Sequence, residues 1–288
     1  MFAKLLKHDW RATAGTLGIL SLAALGASLL AGGALFCLTR FDEELTGMAV
    51  AGLALSMVFL CLALVAYSVA VQIIQLVRFY KSRFTDEGYL TFTLPVNSHQ
   101  IFLSAFLNML IWSVLSSVVL IVSVGLILLI GLPWDQINET MGQIQQAQIT
   151  ELLEEIYSFY GFKIDGTFIG FQILQIIVNS LYGIVMMLTC ITVGAVAAKK
   201  HKIIAAFVAY YVISFLTGMV GNILSVGTSI DNMDHYLSSM LGSAADSMQS
   251  MYQMALQNMS LTIVWEIVLI VAGYFLSTYL MKRKLNLP

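Results

Sequence analysis

Long apolar runs separated by short polar stretches dominate the chain. Six of them exceed the roughly 20 residues that a helix needs to cross a hydrocarbon layer about 30 Å thick. They cover Thr13 to Thr39, Gly47 to Val77, Ile101 to Leu132, Thr167 to Ala198, Ile203 to Val226 and Leu261 to Met281, and they predict an all-α, polytopic six-transmembrane-helix bundle forming one domain over residues 1–288. The second run is too long for a perpendicular crossing. Its positions reach about 45 Å at about 1.5 Å per residue, so it is expected to tilt or to continue past the membrane as a helical stalk.

Ahead of the first span the pattern changes. Phe2, Leu5, Leu6 and Trp10 share one helical face, while Lys4, Lys7, His8 and Arg11 take the other. This predicts an N-terminal amphipathic interfacial helix over residues 1–12. A cleaved signal peptide is the competing reading, but the apolar run that follows is longer than a signal core and leads into acidic residues and further spans. Within the first span, Ala23, Ala27 and Ala31 recur every four residues beside Gly18, Gly26 and Gly32. Such a stripe lets another helix approach closely, within the chain or from a second subunit.

Composition agrees with the pattern and excludes whole classes. The chain is 59% hydrophobic and 10% charged, with a mean hydropathy of +0.87, where soluble chains carry roughly 25% charged residues. A soluble globular domain and a disordered chain are both excluded, and the solvent is a lipid bilayer. A net charge of −2 and three prolines speak against nucleic acid as a partner and against a collagen-like chain. Cys37, Cys61 and Cys190 lie in apolar runs, odd in number and without metal-ligand spacing, and read as packing residues.

The placement of the few charges predicts orientation. Lys4, Lys7 and Arg11 precede the first span; Arg78, Lys81 and Arg83 follow the second; Lys199, Lys200 and Lys202 follow the fourth; Lys282, Arg283 and Lys284 follow the sixth. Only Arg40 and Lys163 fall on the opposite side, with most of the acidic residues, among them Asp42, Glu43, Glu44, Asp135, Asp165 and Asp231. By the positive-inside rule both termini are expected in the cytoplasm. Two outer loops are then expected, at residues 133–166 and 227–258. The first has the pattern of a surface amphipathic helix. The second carries Met233, Met240, Met248, Met251 and Met254, and the helical spacing of Met248, Met251 and Met254 fits a packed face better than a Cu(I) site.

One acidic residue, Glu266, falls inside a predicted span, where an ionisable group is costly and points to function. It could line a gate, contact a cationic substrate, or be protonated and hydrogen-bonded to a neighbouring helix. Asn108, Asn179, Gln172 and Gln175 are weaker candidates for a substrate pathway, most of them read as interhelical hydrogen bonds.

The inner loop at residues 78–100, Arg-Phe-Tyr-Lys-Ser-Arg-Phe-Thr-Asp-Glu-Gly-Tyr-Leu-Thr-Phe-Thr-Leu-Pro-Val-Asn-Ser-His-Gln, is more than a turn. Gly88 can end a short helix, Pro95 blocks continuation, and Asn97 with Gln100 has capping-box spacing. Aromatic residues interleaved with Asp86 and Glu87 suit a protein groove. The stretch Asp86-Glu-Gly-Tyr-Leu-Thr-Phe-Thr-Leu-Pro95 resembles the corresponding loop of ABC-2 type transporter permeases common in Gram-positive bacteria, and the order of amphipathic helix, six spans and long second span is similar over nearly the whole chain. The resemblance implies an exporter subunit in the bacterial cytoplasmic membrane, paired with a second permease copy or a related permease and with separate ABC ATPase subunits that bind ATP and Mg. It implies an ATPase-coupling contact at Phe84, Asp86, Glu87, Gly88, Tyr89 and Leu90, and an interfacial elbow at Lys4, Lys7, Trp10 and Arg11.

The chain contains no G-x-x-x-x-G-K-[S/T] loop, so ATP hydrolysis is expected in a partner, with no cofactor in this chain. H-E-x-x-H and G-x-S-x-G are also missing from the sequence, and an enzyme is not expected. Three functions are left: the permease of an ATP-driven exporter of peptides, lipids or drugs; an ion-coupled transporter using Glu266; and a membrane scaffold or sensor.

Overall fold

The apolar runs form six α-helices in the computed structural model of the 288-residue chain. They are α1 (Phe2–Arg40), α2 (Gly47–Phe84), α3 (Ser98–Gly131), α4 (Gly166–Ala197), α5 (Lys202–Asp231) and α6 (Ala244–Arg283). The structure describes residues 2–40, 47–85, 88, 97–134, 165–198, 201–231 and 244–283. Among them are six helices long and apolar enough to cross a membrane, so the chain is a multi-pass, all-α membrane protein. The packing falls into two compact units, one holding α1–α3 and the other α4–α6.

In the first unit α1 packs against both α2 and α3. Its buried positions Leu5, Asp9, Thr13, Leu17, Ala24, Ser28 and Ala31 lie one or two helical turns apart and so share one face of the helix. Leu17, Ala24 and Ala31 meet Leu64, Tyr67 and Val71 of α2 and Trp112 and Ile127 of α3 in one cluster. The small-residue stripe therefore differs from the one predicted. Ala23 is exposed and Gly18 and Gly26 have no neighbours, whereas Gly32 sits against Ile130 and the backbone of α3. From Leu17 the seam advances seven residues, close to two full turns of about 3.6 residues, to Ala24 and then Ser28, so it passes beside Ala23 and Ala27.

Residues 2–12 are the first three turns of α1, not a separate interfacial helix. Their predicted apolar face is turned onto protein: Leu5 is buried, and Trp10 stacks on Trp112 at 4.7 Å between ring centroids. Lys4, Lys7 and Arg11 are exposed on the opposite face. The second helix does continue past its apolar run, reaching Phe84 as a stalk beyond Val77.

In the second unit α4 packs against both α5 and α6. The outer loop expected over 227–258 is largely helix, because α5 runs to Asp231 and α6 begins at Ala244. The stretch from Ala244 to Ser260 has no Pro or Gly and is rich in Ala, Met and Gln, so it continues the helix despite its polarity. Met251 is exposed there and Met254 half-buried. Asp165 caps α4. Its carboxylate accepts from the Phe168 N–H at 2.8 Å and from the Tyr252 hydroxyl of α6 at 2.6 Å. The Tyr252 hydrogen bond, aided by the cap, holds this carboxyl below its usual range. Most of the first predicted outer loop, and the Met233 and Met240 positions, lie outside the described residues.

Contacts between helices in this unit rest on small residues. A Cβ at Gly194 of α4 would run into the backbone of Ala206 in α5, so only glycine allows the two helices to meet there. Gly170, by contrast, has nothing within 4 Å. We expect Gly194→Ala to lower the thermal unfolding midpoint in lipid nanodiscs, at a cost of about 1–3 kcal/mol for overpacking. Gly170→Ala should match or exceed the wild type. Equal midpoints for Gly194→Ala and wild type would contradict the close approach.

Candidate functional site

Apolar helices carry function where polar atoms are built into them, and each unit holds one such cluster. In the first, the stalk end of α2 brings Arg83 to Asp9 of α1. Both are buried, at 2% and 5% exposure. Arg83 Nη2 lies 2.7 Å from Asp9 Oδ2, and Nη1 donates to Oδ1 at 3.5 Å, a two-pronged contact. Ser104 of α3 closes the cluster: its hydroxyl donates to Asp9 Oδ2 at 3.1 Å and accepts from Arg83 Nη2 at 3.2 Å. Arg83 also donates to Ser82. Three helices thus share one ion pair. Beside it is a cavity of about 20 Å³ lined by Gln75, Arg78, Asn108 and Met109.

Phe84, the last residue of α2, is 2% exposed, with its ring edge-on to Phe79 at 5.7 Å and tilted against Tyr80 at 6.3 Å. This expected coupling residue is therefore an anchor that fixes the start of the connection from α2 to α3 and leaves little of itself to offer a partner. Gly88 turns the chain, donating its N–H to the Thr85 carbonyl at 2.8 Å. Asp86, Glu87, Tyr89 and Leu90 lie outside the described residues. Asn97 stands at the N-cap of α3, yet its side chain makes no cap hydrogen bond, so the predicted capping box does not close. The helix starts through backbone bonds from Gln100 and Ile101 to the Asn97 carbonyl, at 2.8 and 3.2 Å.

In the second unit Glu266 of α6 is 6% exposed. Two amides of α4 hold it: Asn179 Nδ2 donates to Oε1 at 2.9 Å and Gln175 Nε2 donates to Oε2 at 3.1 Å. Three of the predicted polar candidates therefore converge here. Asn108 is in the first unit, buried at 6% with an unpartnered Oδ1, and Gln172 is exposed. Further along the same helices Ser277 donates to Thr189 Oγ1 at 3.0 Å, and both are buried.

Nothing in the sequence reading pointed to Asp9, and Arg83 stood there only as one of the basic cluster that follows the second span. The signal for Asp9 was present: it stands four residues after Leu5 and four before Thr13, in the middle of the stripe that packs.

Fold and sites together define a multi-pass helical membrane protein with a buried ion pair at the C-terminal end of α2. No family model matches the chain, and no characterised protein or solved structure matches it either.

Breaking a buried pair leaves an uncompensated charge and costs about 3–5 kcal/mol, whereas replacing both partners by apolar residues can be neutral. We expect Asp9→Leu and Arg83→Met each to destabilise the chain in nanodiscs by about that amount, and the double variant to be more stable than either single one. Additive single losses in the double variant would show that the two side chains are not coupled.

Proposed function

We propose that the chain is the transmembrane permease subunit of an ATP-driven ABC exporter of the ABC-2 type. It sits in a bacterial cytoplasmic membrane with both termini in the cytoplasm and exports an amphipathic or hydrophobic substrate. The ATPases are separate subunits that hold ATP and Mg, and a second permease copy or a related permease completes the assembly. The observation that carries the reading is the stalk end of α2. There Arg83 is pinned to α1 and α3 and Phe84 is buried, so force applied to the residues that follow is passed to three helices at once.

In this mechanism closure of the ATPases presses on Asp86, Glu87, Tyr89 and Leu90. Phe84 and Gly88 set the direction of that segment, and Asp9 with Ser104 resists its slipping along α2. A 2.7 Å contact between buried charges suits load transfer, since separating them in an apolar surrounding is strongly opposed. The exposed Lys4, Lys7 and Arg11 of α1 are then available to anionic lipid headgroups. The charge distribution supports the orientation, and the lack of a phosphate-cradling loop in the sequence supports a separate motor.

A second reading, an ion-coupled transporter, is favoured by one observation, the burial of Glu266. Solute movement in ATP-free proteoliposomes, lost in Glu266→Gln, would select it.

The main reading is tested by co-expression and co-purification with ABC ATPase subunits from the same organism. We expect a complex whose ATP hydrolysis falls about tenfold or more when Asp86, Glu87 and Tyr89 are replaced together by alanine, because a few central residues dominate most interfaces. A stable, hydrolysing complex indifferent to that replacement would overturn the coupling role.

A further inference from the structure

Glu266 also lines a cavity of about 380 Å³ inside the second unit, among α4, α5 and α6. That volume lies within the range of ordinary small-molecule sites. Tyr182, Thr217, Asn222, Thr262 and Trp265 line it too, so hydroxyls, a carboxamide and two aromatic rings surround one acid.

The polar atoms of the two aromatics are already engaged. Tyr182 Oη and Thr217 Oγ1 are 3.3 Å apart, and Trp265 Nε1 donates to the Thr217 carbonyl at 3.3 Å. What they have left for a ligand is π surface, the ordinary partner of an organic cation. Glu266 itself receives one N–H on each oxygen, while a carboxylate has about four acceptor sites. Among the described residues no Lys, Arg or His pairs with it. Gln175, which holds it, has a buried Oε1 with no partner. The site thus has negative charge, acceptors and aromatic walls, and two neutral amides in place of a counter-ion.

We propose that this cavity binds an organic cation, an alkyl or aryl ammonium group, with Glu266 as its counter-charge and Tyr182 and Trp265 as its aromatic walls. Gln175 and Asn179 hold the carboxylate in position from α4. The site is about 7.5 Å of helix from Leu261, where the apolar run of α6 begins, taking about 1.5 Å per residue, so a cation can reach it from that end of the run. The ligand takes the place of a counter-ion, which no described residue supplies. The assignment stands on this unit alone and does not depend on an ATPase.

Equilibrium dialysis of radiolabelled benzyltrimethylammonium against the full chain in lipid nanodiscs tests it, with empty nanodiscs as background and neopentylbenzene as the uncharged competitor of the same shape. Saturable binding is expected. It should weaken about tenfold or more in Glu266→Gln, the equivalent of about 1.4 kcal/mol, and resist the uncharged competitor. Gly221→Leu provides a second variant: a Cβ there meets Trp265 at an ordinary 3.5 Å, so the longer side chain fills the cavity and leaves the carboxyl intact. It should bind as poorly as Glu266→Gln, and it carries the test if the latter fails to fold. Binding no greater than to empty nanodiscs, undiminished binding to either folded variant, or equal competition by neopentylbenzene overturns the proposal.

Discussion

A charge buried among apolar helices must be compensated by polar or charged partners, and the arrangement of α1, α2 and α3 follows from how Arg83 is met. Its guanidinium takes both oxygens of Asp9 and the hydroxyl of Ser104, one partner from each neighbouring helix. Hydrophobic attraction does little to choose among helix pairings where lipid is as apolar as the side chains. Polar contacts that are satisfied in only one register therefore select it. The stack of Trp10, the residue after Asp9, on Trp112 and the Ser21 and Tyr67 hydroxyls 2.9 Å apart reinforce the same register. Farther along, the Thr39 hydroxyl donates to the Gly131 carbonyl at 3.0 Å and ties the other end of α1 to α3.

The second unit meets the same constraint with weaker and more numerous contacts. Thr189, Ser277 and Gly273 join α4 to α6, and Gly194 lets α5 in against α4. Interhelical hydrogen bonds of this kind contribute on average about 0.6 kcal/mol each, well below the cost of breaking a buried ion pair. The first unit is accordingly suited to bearing load and the second to adapting around a ligand, and the two proposals assign these roles.

Much of the architecture was legible because bilayer crossing imposes length and hydropathy on each run. The stalk of α2 was legible as well, since its apolar run outlasted the membrane. Helix that continued outside that constraint was not. The Ala244 to Ser260 stretch is polar enough to read as loop, and only its lack of breakers and the Tyr252 bond to Asp165 explain why it is helical. Residues 2–12 were read correctly as amphipathic, but a helical face shows no sign of whether lipid or protein will cover it. Glu266 was legible as a lone acid in a span. Its two amide partners were only two among several polar residues until the fold brought Gln175 and Asn179, one turn apart, to the same carboxylate. Asp9 was hidden by the lysines and arginine around it, which made it look like part of a solvated charged face.

The claim on which the account rests is that Asp9 holds the end of α2. Hydrogen–deuterium exchange of the full chain in nanodiscs, comparing wild type with Asp9→Asn, tests it most directly. The account predicts that backbone amides at residues 78–84 exchange about tenfold or more faster in the variant, with a smaller change at residues 5–13 and none in α4 to α6, because loss of a buried charge partner opens the helices that share it. Unchanged protection at residues 78–84 would contradict it.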